Sequence, residues 1–143
     1  MGQEGLGRLF NIGFTFDDVY VNMRDVDAVT FVFHLTAGDT FTLTEAKSVA
    51  GASAQVLPTI TQFYTALVTG AGQWTKRTQA AGSTVVTTGA YAAHVAVFTV
   101  RDEELSDGYT HLKVASTSTG TVKAILHDLS FQRSPELLPA ISA

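Results

Sequence analysis

The sequence predicts an all-β fold, a single β-sandwich of jelly-roll-like form with extended arms at both ends. Three observations carry this prediction. Apolar and polar residues alternate with a period of two, the signature of half-buried strands. Roughly eight or nine short β-rich runs recur, with turn signals every ~8–12 residues. No stretch shows a long helical pattern with apolar residues at i, i+3 and i+4. The runs divide the chain into an N-terminal arm (1–13), a sandwich (14–131) and a C-terminal arm (132–143).

The elements follow in order. Gly2 to Gly13 is spaced by glycines and reads as an extended arm. Phe14–Phe16 and Val19–Val21 predict an early strand interrupted at Asp17-Asp18. Val29, Phe31, Phe33 and Leu35 alternate with Thr30, Val32, His34 and Thr36. A turn at Ala37–Thr40 leads to Phe41 and Leu43, which alternate with Thr40, Thr42 and Thr44, so 28–46 reads as a hairpin.

Lys47 to Pro58 is the longest candidate loop. Thr59–Thr69 is rich in β-formers, breaks at Gly70-Ala71-Gly72, and pairs as a hairpin with Gln73–Thr78. Ser83–Thr88 and His94–Arg101 are two further strands, and Asp102–Leu105 makes one helical turn. Asp107-Gly108 opens a strand over Tyr109–Ala115, and a Ser/Thr/Gly loop joins it to a second over Thr121–Phe131. These two read as a two-stranded unit. The chain then leaves through Gln132-Arg133-Ser134 into an apolar tail fenced by Pro135 and Pro139.

Composition narrows the function. The 143 residues fit one domain large enough to bury a proper core. Cysteine is absent, which excludes disulfides and thiolate metal sites. A formal net charge of −4 argues against a general nucleic-acid binder. Charged residues are only 15%, below the usual ~25% of soluble domains. No apolar run approaches the ~20 residues of a membrane helix, and the start lacks a basic region followed by an apolar core. A charge-poor chain of this kind covers surface with partners, or exposes a Thr-rich polar face as a monomer.

The chemistry-bearing residues do not form a recognisable reaction centre. His34, His94, His111 and His127 have no metal-ligand spacing, and the first three read as solvent-facing strand residues. His127 and Asp128 are neighbours on a strand, so their side chains should leave opposite faces. Ser106, Asp107 and His111 can be written as a triad but lack a nucleophile turn. Asp17-Asp18 with Asp25 and Asp27 offers carboxylates for a hard cation without the loop spacing of a calcium site, and a solvated loop is the simpler reading. No cofactor, metal or catalytic activity is therefore expected. Trp74, Tyr64, Tyr91 and Tyr109 raise the alternative of a carbohydrate-binding module, with Trp74 as the sugar-stacking ring.

The strongest functional signal lies in the C-terminal stretch. A leucine-bearing, proline-stiffened tail suits docking on a neighbour, with less disorder to lose on binding. Leu6, Arg8, Leu9 and Phe10 at one end are the candidate contacts. At the other they are Arg133, Pro135, Leu137, Leu138, Pro139 and Ile141. Alternatively the tail folds back and closes its own sandwich.

Four segments extend this reading, in order GASAQVLPTITQFYTA, GQWTKRTQAAGSTV, DEELSDGYTHLKV and AILHDLSFQRSPELLPAI. Together, over about Ser48 to Ile141, they resemble minor capsid or decoration proteins of tailed bacteriophages. The resemblance implies a β-sandwich on the outer capsid surface, made in the host cytoplasm. It implies a homotrimer that bridges major capsid subunits and stabilises the shell against internal pressure, with no cofactor, no direct nucleic-acid contact and no membrane. The neighbour that the arms reach is then another copy of the chain or the shell.

Overall fold

The computed structural model describes residues 5–35, 38–87, 93–118 and 120–143. Among them the chain forms an all-β sandwich of two antiparallel sheets. The strands are β1 (Phe10–Gly13), β2 (Val21–Asn22), β3 (Val26–Leu35), β4 (Thr40–Ala46), β5 (Gln55–Val56) and β6 (Ile60–Leu67). They continue with β7 (Thr75–Gly82), β8 (Thr84–Val86), β9 (His94–Arg101), β10 (His111–Ser116) and β11 (Thr121–Leu129). One sheet has six strands in the order β1-β11-β3-β9-β6-β7. The other has the order β2-β10-β4-β5, with β8 also paired to β4.

Period-two patterning built this core. Val29, Phe31 and Phe33 of β3 point inward with Ala96, Phe98 and Val100 of β9 and Val122, Ala124 and Leu126 of β11. They meet Phe41, Leu43, Leu112 and Val114 from the opposite sheet. Phe33 stacks on Phe41 across the core at 4.4 Å between centroids and meets Phe98 edge-on at 5.5 Å.

The strands fall close to their expected positions, but two pairings differ. β3 and β4 are not a hairpin: β3 pairs with β9 and β11, whereas β4 pairs with β10, β5 and β8. Likewise β10 and β11 lie in different sheets. The alternation of Phe33 and Phe41 says only that both face one core, and a crossover between sheets satisfies that as well as a hairpin does. Only β6 and β7, of the two expected hairpins, pair with each other. The early strand reduces to β2 and a single bridge from Asp17 to Val114, and the 47–58 loop contains the short β5. The eleven strands among the described residues, in this order, make the fold a sandwich.

Two buried carboxylates tie the crossovers. Asp39 is 2% exposed and sits where three loops meet. It accepts from Thr40 N–H, Thr117 N–H, Thr117 Oγ1 and Ser116 Oγ, while its backbone exchanges hydrogen bonds with Thr87. Gly120 packs so tightly here that a Cβ would lie 2.6 Å from Asp39 Oδ2 and 2.8 Å from the Phe41 ring. Burial pushes the Asp39 carboxyl up, but the hydrogen bonds from Ser116, Thr117 and Thr40 outweigh it and hold the group below its ordinary value. Glu45, fully buried, accepts from Gln55 Nε2 at 2.6 Å and from Ser106 N–H at 2.9 Å, joining β4 to β5 and to the loop before β10.

Neither expected arm is free of the fold. Residues 1–4 lie outside the described residues. The rest of the 1–13 segment ends in β1, which pairs with β11 from Phe10↔His127 to Gly13↔Ala124 as a sheet edge. Its alternation is too short, at four residues, to stand out from the glycines before it. The 132–143 segment folds back, so of the two readings of the tail the structure takes the second.

Candidate partner interface at the joined ends

The two terminal segments meet each other along the β1 edge. Arg133 N–H donates to Gly7 O at 2.9 Å, and Asn11 Nδ2 donates to Pro139 O at 3.4 Å. Gly7 has φ +84°, and a Cβ there would run into the Arg133 carbonyl, so the crossing requires glycine. Further along, Asn22 N–H donates to Ile141 O at 2.8 Å, and Asn22 Nδ2 donates to Ala143 O at 3.0 Å. Ile141 packs against the core as the tail's apolar anchor. Beneath the tail lies a cavity of about 70 Å³ lined by Val26, Leu126, Leu129, Leu138 and Ile141, among others.

This docking brings the candidate contacts into one region and sorts them. Leu6, Phe10, Pro135, Leu138 and Ile141 are half-buried and serve the fold. Arg8, Leu9, Arg133, Leu137 and Pro139 remain exposed. Phe131, which the sequence did not single out, joins them, while Phe14, exposed as well, lies past the far end of β1 beside Lys123. Leu9 is 68% exposed, Phe14 65%, Phe131 61% and Leu137 65%, the four most exposed large apolar side chains among the described residues. Lys123 Nζ lies 5.8 Å from the Phe14 ring centroid and the Arg133 guanidinium 5.8 Å from that of Phe131. A signal for both rings was present: each sits just outside a strand, where alternation no longer assigns it to the core.

The other chemical candidates are used structurally. His111 is 3% exposed rather than solvent-facing, because the tail covers it. Its Nδ1 pairs with Thr110 Oγ1 at 2.8 Å and its Nε2 with Ala143 O at 3.1 Å. Both His111 ring nitrogens are taken by Thr110 and Ala143, and Ser106 Oγ accepts from Gln55 Nε2 at 3.4 Å, so Ser106, Asp107 and His111 do not assemble as a triad. His127 and Asp128 do form a pair, against expectation, with Nδ1 and Oδ2 3.2 Å apart. Asp128 takes φ +55°, which turns its carboxylate back towards His127 and breaks the strand rule.

Asp17 accepts from Ser116 N–H, and Asp18 pairs with Lys113 at 2.5 Å. Among the described residues no cluster of three or more His, Cys, Asp or Glu could hold a metal ion. No helix among them is long and apolar enough to cross a membrane. Trp74 stands exposed before β7. Tyr109 is committed to Ser53 O, with Lys47 over its ring, and Tyr91 lies outside the described residues.

Removing 132–143 tests the docking. The Asn22 amide would lose its acceptor and Ile141 its burial, so stability should fall by ~1–3 kcal/mol. Hydrogen exchange at Asn22 should accelerate while β3 and β9 stay protected. Unchanged exchange at Asn22 would contradict the docked tail. No protein-family model, curated protein or solved structure matches the chain.

Proposed function

We propose that this chain is a virion structural protein that binds the outer surface of a tailed-phage capsid and stabilises the shell by bridging major capsid subunits as a homotrimer. One observation carries the reading: Leu9, Phe131 and Leu137 stand exposed with Arg8 and Arg133 at the joined terminal segments. Aromatic, aliphatic and arginine side chains of this kind are the usual anchors of protein interfaces. The role is mechanical. A rigid sandwich with two fixed ends can span two neighbours, and the second contact then forms at high effective concentration. The sequence resemblance over 48–141 supports the same reading. A carbohydrate-binding role rests on Trp74 alone, a smaller surface than the joined ends offer.

The test is co-sedimentation with expanded phage shells lacking this chain. Leu9→Asp combined with Leu137→Asp changes only exposed side chains, so the fold should persist. Binding should weaken at least ~10-fold, from the loss of two apolar contacts and the addition of buried charge. A folded double variant that sediments like the parent protein would refute this role for the joined ends.

A further inference from the structure

The chain divides its charge unevenly. It has 13 acidic residues, yet none lies between Glu45 and Asp102. That stretch carries Lys47, Lys76, Arg77 and Arg101, in a chain whose net charge is −4. In its middle is the β6–β7 hairpin, at one edge of the six-stranded sheet.

The hairpin ends in an exposed tip. Its last strand pair is Thr65↔Thr75. Beyond that pair the chain turns through Leu67–Gly70, closed by Gly70 N–H donating to Leu67 O at 3.0 Å. Gly70 takes φ +72° and projects into open space, with nothing within 4 Å of its Cβ position. Val68 N–H ties the base of the turn to Ala93 O at 2.9 Å. Every residue from Leu67 to Lys76 is exposed, and none before Lys76 is charged. Leu67 is 42% exposed, Val68 47% and Trp74 54%. Single exposed apolar residues are ordinary, but three on one uncharged tip form a patch.

Two cations follow directly. Lys76 lies opposite Tyr64, and Arg77 beside it donates from Nε to Thr65 Oγ1 at 3.2 Å. From the tip inward the order is aliphatic side chains and glycines, then Trp74, then the two cations. A bilayer interface has the same order in depth: acyl chains, a headgroup level that favours tryptophan, and phosphates that favour Lys and Arg. The acids towards that end of the sandwich, among the described residues, belong to the β1–β2 and β3–β4 connections and are committed. Asp17 accepts from Ser116 N–H, Asp18 pairs with Lys113, and Asp39 is buried.

We propose that the β6–β7 tip is a membrane-contact site that inserts Leu67, Val68 and Trp74 into the interface of an anionic lipid bilayer, with Lys76 and Arg77 at the phosphates. Charge complementarity selects the occupant, because the cations stand on an acid-free hairpin and call for an anionic surface. The uncharged convex tip favours lipid over protein. A protein partner is specified by a polar rim around anchors, whereas a bilayer needs only apolar area, an interfacial ring and cations. A second copy docked tip to tip would bring Lys76 and Arg77 against their own kind. Insertion is shallow, since the backbone groups of the turn still need headgroups or water as partners.

This inference is independent of the capsid reading, whose resemblance implies no membrane. Leu67 pairs with His94 at the start of β9, at the same end of the sheet as Thr121 at the start of β11. The joined ends lie at the other end, where Phe10 pairs with His127. Both surfaces can therefore be occupied at once.

Trp74 is the sole tryptophan of the chain, so its emission reports the tip directly. The full chain is mixed with vesicles of phosphatidylcholine containing about a third phosphatidylglycerol, and with vesicles of phosphatidylcholine alone. With the anionic vesicles, Trp74 emission should shift to the blue and be quenched by lipids brominated in their acyl chains. Neutral vesicles should bind at least ~10-fold more weakly, and salt should weaken the anionic binding. Leu67→Asp with Val68→Asp should lower binding at least ~10-fold, and Lys76→Glu at least ~5-fold. Val56→Asp, at an exposed valine of the other sheet, should bind like the parent. All four substituted side chains are exposed, and circular dichroism checks that each variant folds. Absence of the blue shift, equal binding to neutral vesicles, or parent-like binding by both tip variants overturns the proposal. A shift produced by soluble glycans or by phage shells, with vesicles silent, overturns it as well and assigns the tip to that partner. Failure to bind shells at the joined ends bears on the capsid reading and leaves this one standing.

Discussion

Replacing Phe33 with alanine should lower stability by ~3–5 kcal/mol, the largest effect of any single substitution considered. Phe33 is fully buried in β3, and its ring touches Phe41 of the opposite sheet and Phe98 of the neighbouring strand. The cavity would open between two sheets whose strands cannot collapse without breaking register. Typical domains have only ~5–15 kcal/mol in total, so the variant should be near the limit of folding at 37 °C. Chemical denaturation followed by near-ultraviolet circular dichroism measures it. A loss under ~1 kcal/mol would mean that the two sheets are not joined through this ring.

The second large effect is expected at Asp39. Alanine there leaves Ser116, Thr117 and Thr40 donors without an acceptor at a buried corner where the β3–β4 and β10–β11 connections meet. The expected loss is ~2–4 kcal/mol. The same group predicts a pH dependence. Its folded-state pKa lies below the unfolded value, so its contribution is complete above that value and disappears as pH falls through the folded one. The unfolded reference is ~3.9, so the window lies below about pH 4. In Asp39→Asn this part of the acid sensitivity should be gone, which denaturation curves at neutral pH and at about pH 3 would show. A parallel acid response in the two proteins would contradict the assignment.

Much of the fold was legible because it depends on local pattern. β9 begins and ends where the alternation of His94–Arg101 places it, and the Asp102–Glu104 turn follows directly. The pairing of β3 with β9 and β11, rather than with β4, was not legible. Alternation fixes which face a residue presents and leaves the partner strand open. Asp39 and Glu45 show a related limit. Glu45 sits on the inward series Phe41, Leu43, Glu45, a pattern break that marks a buried carboxylate, but its partners Gln55 and Ser106 come from distant loops.

The site divides in the same way. The terminal segments were identifiable from their leucines and prolines, and the structure brings them together. Their docking onto Asn22 and His111 depends on side chains that carry no local signal. Val95 and Val97, half-buried on the outward side of β9, were visible only as part of a run, Val95-Ala96-Val97-Phe98, in which both faces are apolar. Such a run marks a strand covered on two sides, and the structure supplies one cover.

The most direct measurement is particle imaging of expanded shells with and without this chain. The account predicts added density on the outer surface, fitted by the sandwich with the joined ends towards the shell. Shells that stay bare at saturating protein, or density in which the joined ends point away from the shell, would contradict it.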